Sequence, residues 1–179
     1  RVYTERDTEE LDKARDALLR VEADACLFSA MPPLFAMPEK LVGQLMEQTG
    51  NEALPDLWKR SLAQFRRSIK KQRLTLTLLD PALAALTPEI LCPPTAGGEA
   101  AGVLPCTGEQ YAQAIGHLRQ LEKHYENLRL CFHGDVAGNT VLYVKEDTGV
   151  IMAKTDPPIS AFAFNDPRMI SAFWEYLMG

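Results

Sequence analysis

The chain lacks the short motifs that identify most nucleotide-binding and hydrolytic enzymes of its size, 179 residues. The Gly-rich phosphate-binding patterns GxGxxG and GxxxxGK are absent, and so is the nucleophile pattern GxSxG. The pair Gly97-Gly98 matches none of them. Residue spacing alone therefore identifies no catalytic residue, no cofactor site and no metal site, and we expect a protein that is not an enzyme and needs no cofactor.

Long hydrophobic runs and an export leader are also missing. No run of about 18 apolar residues is present, so the sequence predicts no membrane span. Cysteine is scarce and lacks CxxC spacing, the four residues being Cys26, Cys92, Cys106 and Cys131. Four reduced thiols in a cytoplasmic protein are the expected state. A net charge of −5 argues against nucleic-acid binding by the chain as a whole.

The length fits a single domain over residues 1–179. The chain begins at Arg1 and not at Met, so we expect an excised piece of a longer protein. Residues 93–106, PPTAGGEAAGVLPC, are linker-like because they contain Pro, Gly and Ala with almost no core residues.

Apolar residues at helical spacing predict three helices before this linker, over residues 8–25, 38–50 and 55–72. Asp7 and Glu10 fit a capping box at the start of the first helix. The side chains expected to face inward are Leu11, Ala14, Leu18, Val21, Leu41, Leu45, Trp58, Leu62, Phe65 and Ile69.

Between the first two helices the prolines Pro32, Pro33 and Pro38 exclude a continuous helix. The run LFSAMPPLFAM is expected to form a short strand or a buried loop. Met31 and Met37 lie in this run, and core packing is their usual role. A second possibility is a pocket that adapts to its ligand, because methionine is flexible and polarisable.

The rest of the chain alternates strand and helix signals. LTLTLL predicts a strand that stops at Asp80-Pro81, and Thr107 with Gln110 predicts a capped helix to about Asn127. LRLCFH, TVLYVKE, GVIMAKT and ISAFAF follow, joined by GDVAGN, EDTG and DPP, and such short links predict antiparallel neighbours. Asn165 or Asp166 caps a last helix, whose apolar face is Met169, Ile170, Phe173, Trp174 and Leu177. This pattern predicts an α/β (α+β) fold with a mixed or mainly antiparallel sheet, a C-terminal β-meander and flanking helices.

The histidines and Cys131 are the candidates for chemistry. Cys131 and His133 share a strand face but lie about 7 Å apart at their backbones, so a nucleophile–base pair is disfavoured. His117 and His124 are separated by about 10 Å along one helix, too far to share a zinc ion. A buried thiol, a strand-end histidine and solvated or capping histidines are the better interpretation.

Residues 59–73 carry seven cations and no acid, namely Lys59, Arg60, Arg66, Arg67, Lys70, Lys71 and Arg73. One interpretation is a patch that binds phosphate, another anion or DNA. The other is the solvated face of an amphipathic helix, which we favour because no aromatic residue is interleaved.

Four stretches carry a family resemblance: MPPLFAMPEKL (31–41), FRRSIKKQRLTLTLLD (65–80), HLRQLEKHYENLRLCF (117–132) and VKEDTGVIMAKTDPPISAFAFNDPRMISAFWEYL (144–177). In this order they resemble the C-terminal sensor-type domains that follow a helix-turn-helix in bacterial transcriptional regulators of the lambda-repressor-like class. Some such effector domains resemble the phospholipase D fold, whose enzymes need HxKxxxxD. No histidine here is followed by lysine at the second position, so the resemblance implies a fold without that catalysis.

The resemblance implies a non-enzymatic effector-sensing or oligomerisation domain that forms a homodimer and contacts DNA only through a domain upstream of Arg1. The effector would be an unknown small molecule or protein, and no ligand-binding residue is identified. A small cytoplasmic hydrolase or transferase using Cys131 or a histidine is one alternative. A protein–protein interaction module without a small ligand is the other.

Overall fold

The computed structural model describes residues 1–84, 86–91, 103–134, 140–156 and 160–179. Its helices are α1 (Thr8–Arg20), α2 (Glu39–Thr49), α3 (Leu54–Ile69), α4 (Pro81–Ala84), α5 (Gly108–His124) and α6 (Pro167–Met178). Its strands are β1 (Val2–Thr4), β2 (Ala25–Ser29), β3 (Leu74–Leu79), β4 (Glu89–Leu91), β5 (Val103–Pro105), β6 (Leu128–His133), β7 (Thr140–Lys145), β8 (Gly149–Lys154) and β9 (Ser160–Phe164). Helices flank a mixed sheet, which confirms the predicted fold class.

Within the described residues the main sheet has the strand order β1-β9-β8-β7-β2-β3-β6, and β4 pairs with β5 in a separate ribbon. Strands β2, β3 and β6 are parallel to one another, whereas the other neighbours are antiparallel. The parallel pairs arise because helices connect them: α2 and α3 lie between β2 and β3, and α5 precedes β6.

The predicted meander is correct for β7, β8 and β9, which are antiparallel neighbours, but it is wrong for β6. Strand β6 pairs with β3 in parallel, so β2 and β3 separate it from β7. The six-residue link 134–139 can span about 20 Å, more than the roughly 15 Å of three strand spacings. A short link therefore permitted the chain to pass two strands. Residues 135–139 and 157–159 of the predicted turns lie outside the described residues.

The two faces of the sheet have different covers. Leu76 and Leu78 of β3 pack under α3 and α5. On β7, Leu142 and Val144 point to the opposite face, where they pack with Ile170 of α6. The fold thus places α6 on the side of these strands that lies opposite to α3 and α5.

The predicted helix ends are correct in three cases. Gly50, at a φ of 68°, ends α2 in the left-handed conformation that glycine adopts without strain. The capping box of Thr107 and Gln110 forms at the start of α5. Asp166 caps α6, since its carboxylate accepts hydrogen bonds from the backbone N–H groups of Arg168 and Met169.

The predicted start of the first helix at residue 8 is correct, but its predicted capping box and its predicted end are wrong. Asp7 does not cap α1, because its carboxylate accepts instead from the backbone N–H and the hydroxyl of Thr4, at 2.9 and 3.1 Å. The helix ends at Arg20 and not near residue 25, where β2 begins. Lys145 terminates it from across the fold: its Nζ donates to the carbonyls of Leu18 and Leu19 at 3.0 and 3.1 Å.

The linker assignment needs correction at its end. Val103–Pro105 is strand β5, paired with β4, and Ile90 and Leu104 of this ribbon are buried beside α2 and α3. Its three-residue strands are too short to show an alternating pattern, and Pro and Gly obscured them. Residues 92–102 of the predicted linker lie outside the described part of the chain.

Candidate functional site

A small cavity lies at the carboxyl ends of the parallel strands β2 and β3, the edge where open α/β sheets usually bind ligands. Its volume is about 60 Å³. The side chains that line it are Ala30, Met31, Leu79, Ala84, Thr87, Glu89 and Tyr111. Met31 lines this cavity and is also 4% exposed in a buried cluster with Ala30 and Val141. Met37 is packed into the core between α2 and α3.

Three local features build this cavity. The Ser29 hydroxyl accepts a hydrogen bond from the Met31 backbone N–H at 3.1 Å and turns the chain after β2. The Leu91 N–H donates to the Pro32 carbonyl at 2.9 Å, which brings β4 and its Glu89 to this edge. The capping box then sets the start of α5, and Tyr111 projects from its first turn.

Tyr111 is the unusual group of the cavity. It is 3% exposed, and its hydroxyl is buried without a hydrogen-bond partner in the described residues. Burial, with smaller contributions from Cys106 and Asp80, raises the pKa of Tyr111 to about 12, and burial also raises the pKa of Glu89. The phenol therefore keeps its proton at neutral pH and can donate a hydrogen bond to a polar partner.

The cavity volume limits that partner. A cavity needs about 10–15 Å³ to hold one water, so about 60 Å³ holds a few waters or a ligand of a few heavy atoms. Pockets for metabolite-sized ligands usually measure about 300–1,000 Å³. A larger effector would therefore need the β4–β5 ribbon or the start of α5 to move away.

An open groove of about 490 Å³ lies at the opposite edge of the sheet, lined by Glu22, Asp24, Lys71, Glu146 and Asp147 among others. Several of its polar groups already serve the fold. Lys71 pairs with Glu22 at 2.9 Å, and the Asp24 carboxylate accepts from the Arg73 backbone N–H at 2.9 Å. Across the described ranges, no cluster of three or more His, Cys, Asp or Glu side chains is arranged to hold a metal ion.

The structure does not assemble Cys131 and His133 into a nucleophile–base pair. Cys131 is half-buried on β6 opposite Thr77, and His133 is exposed at the end of that strand. No hydrogen bond joins their side chains in the described part of the chain. The His133 carbonyl accepts from the Asp80 backbone N–H at 2.9 Å, which aligns the ends of β3 and β6.

The two helix histidines have separate surroundings. His117 Nδ1 donates to the carbonyl of Ala36 at 2.7 Å and so ties α5 to the 3-10 turn at Leu34–Ala36. His124 is exposed, and its ring packs edge-on against Tyr125 with the centroids 4.6 Å apart. Neither contact brings one histidine to the other.

Cys26, Cys106 and Cys131 are free thiols, and Cys92 lies outside the described residues. Cys26 of β2 is fully buried, and its sulfur lies 3.9 Å from the hydroxyl of Thr77 on the neighbouring strand β3. Burial raises the pKa of Cys26 to about 11 and that of Cys106 to about 11. Both remain protonated at neutral pH and are poor nucleophiles.

This burial predicts a loss of stability in alkali. The unfolded chain releases the Cys26 proton near pH 9, whereas the folded chain holds it to about pH 11, so the unfolding free energy falls as pH rises between them. The expected slope from this one thiol is at most about 1.4 kcal/mol per pH unit. Urea unfolding of the wild type and of Cys26→Ala at several pH values measures it. Equal slopes for the two proteins would contradict the assignment.

An apolar surface lies beside α6, and we call its five residues Phe162, Phe164, Met169, Phe173 and Tyr176 the apolar flank. The rings of Phe162 and Phe164 stack at 6.4 Å, and those of Phe164 and Phe173 at 6.3 Å. Met169 and Tyr176 lie one turn before and after Phe173 on the helix. Phe162 and Met169 are each 39% exposed and Tyr176 is 76% exposed.

Sequence reasoning assigned the residues of both sites to other roles. Tyr111 and Phe173 were placed correctly on inward helix stripes, but the cavity at Tyr111 and the apolar flank at Phe173 depend on strand order.

In the described residues no helix is both long and apolar enough to cross a membrane. No family model matches the chain, and neither curated proteins nor solved structures give a match.

Proposed function

We propose that the chain is a non-enzymatic effector-sensing or oligomerisation domain of a bacterial transcriptional regulator and that it forms a homodimer through the apolar flank. The flank carries the proposal, because three of its side chains, Phe162, Met169 and Tyr176, are exposed beside the half-buried Phe164 and Phe173. Exposed apolar surface of this kind is typical of interaction sites. None of its five side chains is charged, so a second apolar surface is the partner that it fits. A two-fold axis would place the flank against its own copy.

The cavity at Tyr111 supports the sensing part of the proposal. An effector that binds one arrangement of the β4–β5 ribbon and α5 better than another shifts the population between them. A differential affinity of about 1–3 kcal/mol is enough for such a switch. The shift would then reposition DNA-binding domains attached to each subunit of the dimer.

An enzyme using Cys131 or a histidine is the alternative from another class. It would need a deep pocket in which two titratable groups touch, whereas the cavity here is small and is lined by neither Cys131 nor a histidine. We expect no turnover of phosphodiester, ester or peptide substrates. Turnover that disappears in Cys131→Ala or His133→Ala, while Cys106→Ala keeps it, would establish the enzyme instead.

The sequence encoded directly upstream of Arg1 tests the regulator proposal. We expect a helical segment with a helix-turn-helix pattern. A different type of domain there, for example a catalytic one, would contradict the assignment to a transcriptional regulator. If the apolar flank associates but no compound raises the melting temperature by binding the Tyr111 cavity, the chain is a protein–protein interaction module without a small ligand.

A further inference from the structure

We propose that the outward face of α3 contacts the phosphate backbone of duplex DNA without reading its sequence, an inference that rests on the proposed regulator function. The inward face of this helix is buried, with Leu57, Trp58, Phe65 and Ile69 at most 9% exposed. Its outward face carries five exposed cations, Lys59, Arg60, Arg66, Arg67 and Lys70, which we call the basic face.

The charge of the basic face is only partly offset within the fold, since Arg60 lies close enough to Asp12 of α1 to favour the charged form of that carboxyl. None of its five side chains forms an ion pair in the ranges that the structure describes; Arg67 donates to the neutral Gln64 amide at 3.0 Å. Lys71, one residue beyond, pairs with Glu22 at 2.9 Å and therefore contributes no free charge. The basic face therefore presents concentrated positive charge to the solvent, although the chain is acidic overall.

The dimensions of the basic face fit a duplex backbone. Lys59 and Lys70 are eleven residues apart, which corresponds to about 16 Å along a helix. One strand of DNA presents a phosphate every 3.4 Å or so of axis, so the face spans about five phosphates. Asp56, one turn before Lys59 and Arg60 on α3, is an exposed acid that opposes the contact at that end of the face. Acidic residues farther away than the Debye length, about 10 Å at 0.1 M salt, oppose it only weakly.

The chemistry of the face favours backbone contact over base recognition. None of its five members is aromatic, which argues against base stacking but not against phosphate contact. Phosphate contact is therefore proposed here in place of the solvated face that the sequence alone favours. Phosphate contacts orient a protein on DNA without selecting a sequence. The face would thus hold the domain against DNA that an attached domain has already selected.

Fluorescence anisotropy of the 179-residue chain with a labelled duplex of about 20 base pairs tests the proposal. For about four neutralised phosphates, affinity should fall roughly 100-fold between about 50 and 200 mM salt. A duplex of unrelated sequence should bind equally well. Binding without this salt dependence, no binding at the lower salt, or a tenfold or larger preference for one sequence would overturn it.

A matched pair of variants separates the face from net charge. Arg66→Glu with Lys70→Glu should weaken binding at least about tenfold at low salt. Arg129→Glu with Arg168→Glu makes the same change in net charge on β6 and α6, away from α3, and should bind nearly as well as the wild type. Equal weakening by both pairs, with unchanged melting midpoints, would overturn the assignment to α3. Such a result would not bear on the proposed homodimer, which is measured separately.

Discussion

Replacing Trp58 by alanine is expected to lower the free energy of unfolding by about 3–5 kcal/mol. Trp58 is 9% exposed and packs with Leu34, Leu41 and Leu54 in the core between α2 and α3. Its indole N–H also donates to the Met37 carbonyl at 2.9 Å, which fixes the Pro-interrupted run on that core. Domains of this size have total stabilities of about 5–15 kcal/mol, so urea unfolding should show a large shift of the midpoint.

Trp58→Phe is the matched control for this substitution. It keeps an aromatic ring but removes the donor to the Met37 carbonyl, for which the expected cost is about 1–3 kcal/mol. A loss below about 1 kcal/mol for Trp58→Ala would show that α3 is not docked on α2 as described.

Truncating Trp174 to alanine tests the docking of α6 on the sheet. Ile170 is 3% exposed, and the half-buried Trp174 packs with it against Leu142, Val144 and Val150. Full burial of a tryptophan contributes about 3–5 kcal/mol, so half-burial predicts a loss of about 2 kcal/mol and a lower melting midpoint.

Tyr176→Ala is the control for Trp174→Ala on the same helix. Tyr176 is 76% exposed, so its truncation should change the stability of the monomer by no more than about 0.5 kcal/mol. Calorimetry at low protein concentration, where any dimer dissociates, compares the two. Equal effects would mean that α6 packs in another orientation.

Much of the fold was predictable because its signals are local. Helix caps such as Thr107 with Gln110, and apolar stripes such as Trp58 to Ile69, depend on residues within a few turns of each other. Lys145 shows the limit of such reasoning: a charged residue in a strand became fully buried because it ends a helix 126 positions away in sequence. Long-range pairing of this kind has no local signature.

Strand order was the main feature that the sequence could not provide. The link before β7 is as short as a hairpin link, but Leu128–His133 pairs with β3 in parallel after the helical connection through α5. Glu122 of α5 also fixes this strand, because its carboxylate accepts from the Leu130 backbone N–H, eight residues later, at 2.6 Å at the edge of the sheet. The position of the cavity depends on this strand order, because the cavity forms where the neighbouring strands β2 and β3 end.

Sedimentation velocity of the wild type and of Tyr176→Glu tests the proposed self-association most directly. Leu86→Glu is the matched control, because Leu86 is an apolar side chain 80% exposed outside the apolar flank. We expect a dimer for the wild type and for Leu86→Glu, and a folded monomer for Tyr176→Glu. A wild-type monomer at every concentration, or a dimer that Tyr176→Glu leaves intact, would contradict association through the apolar flank.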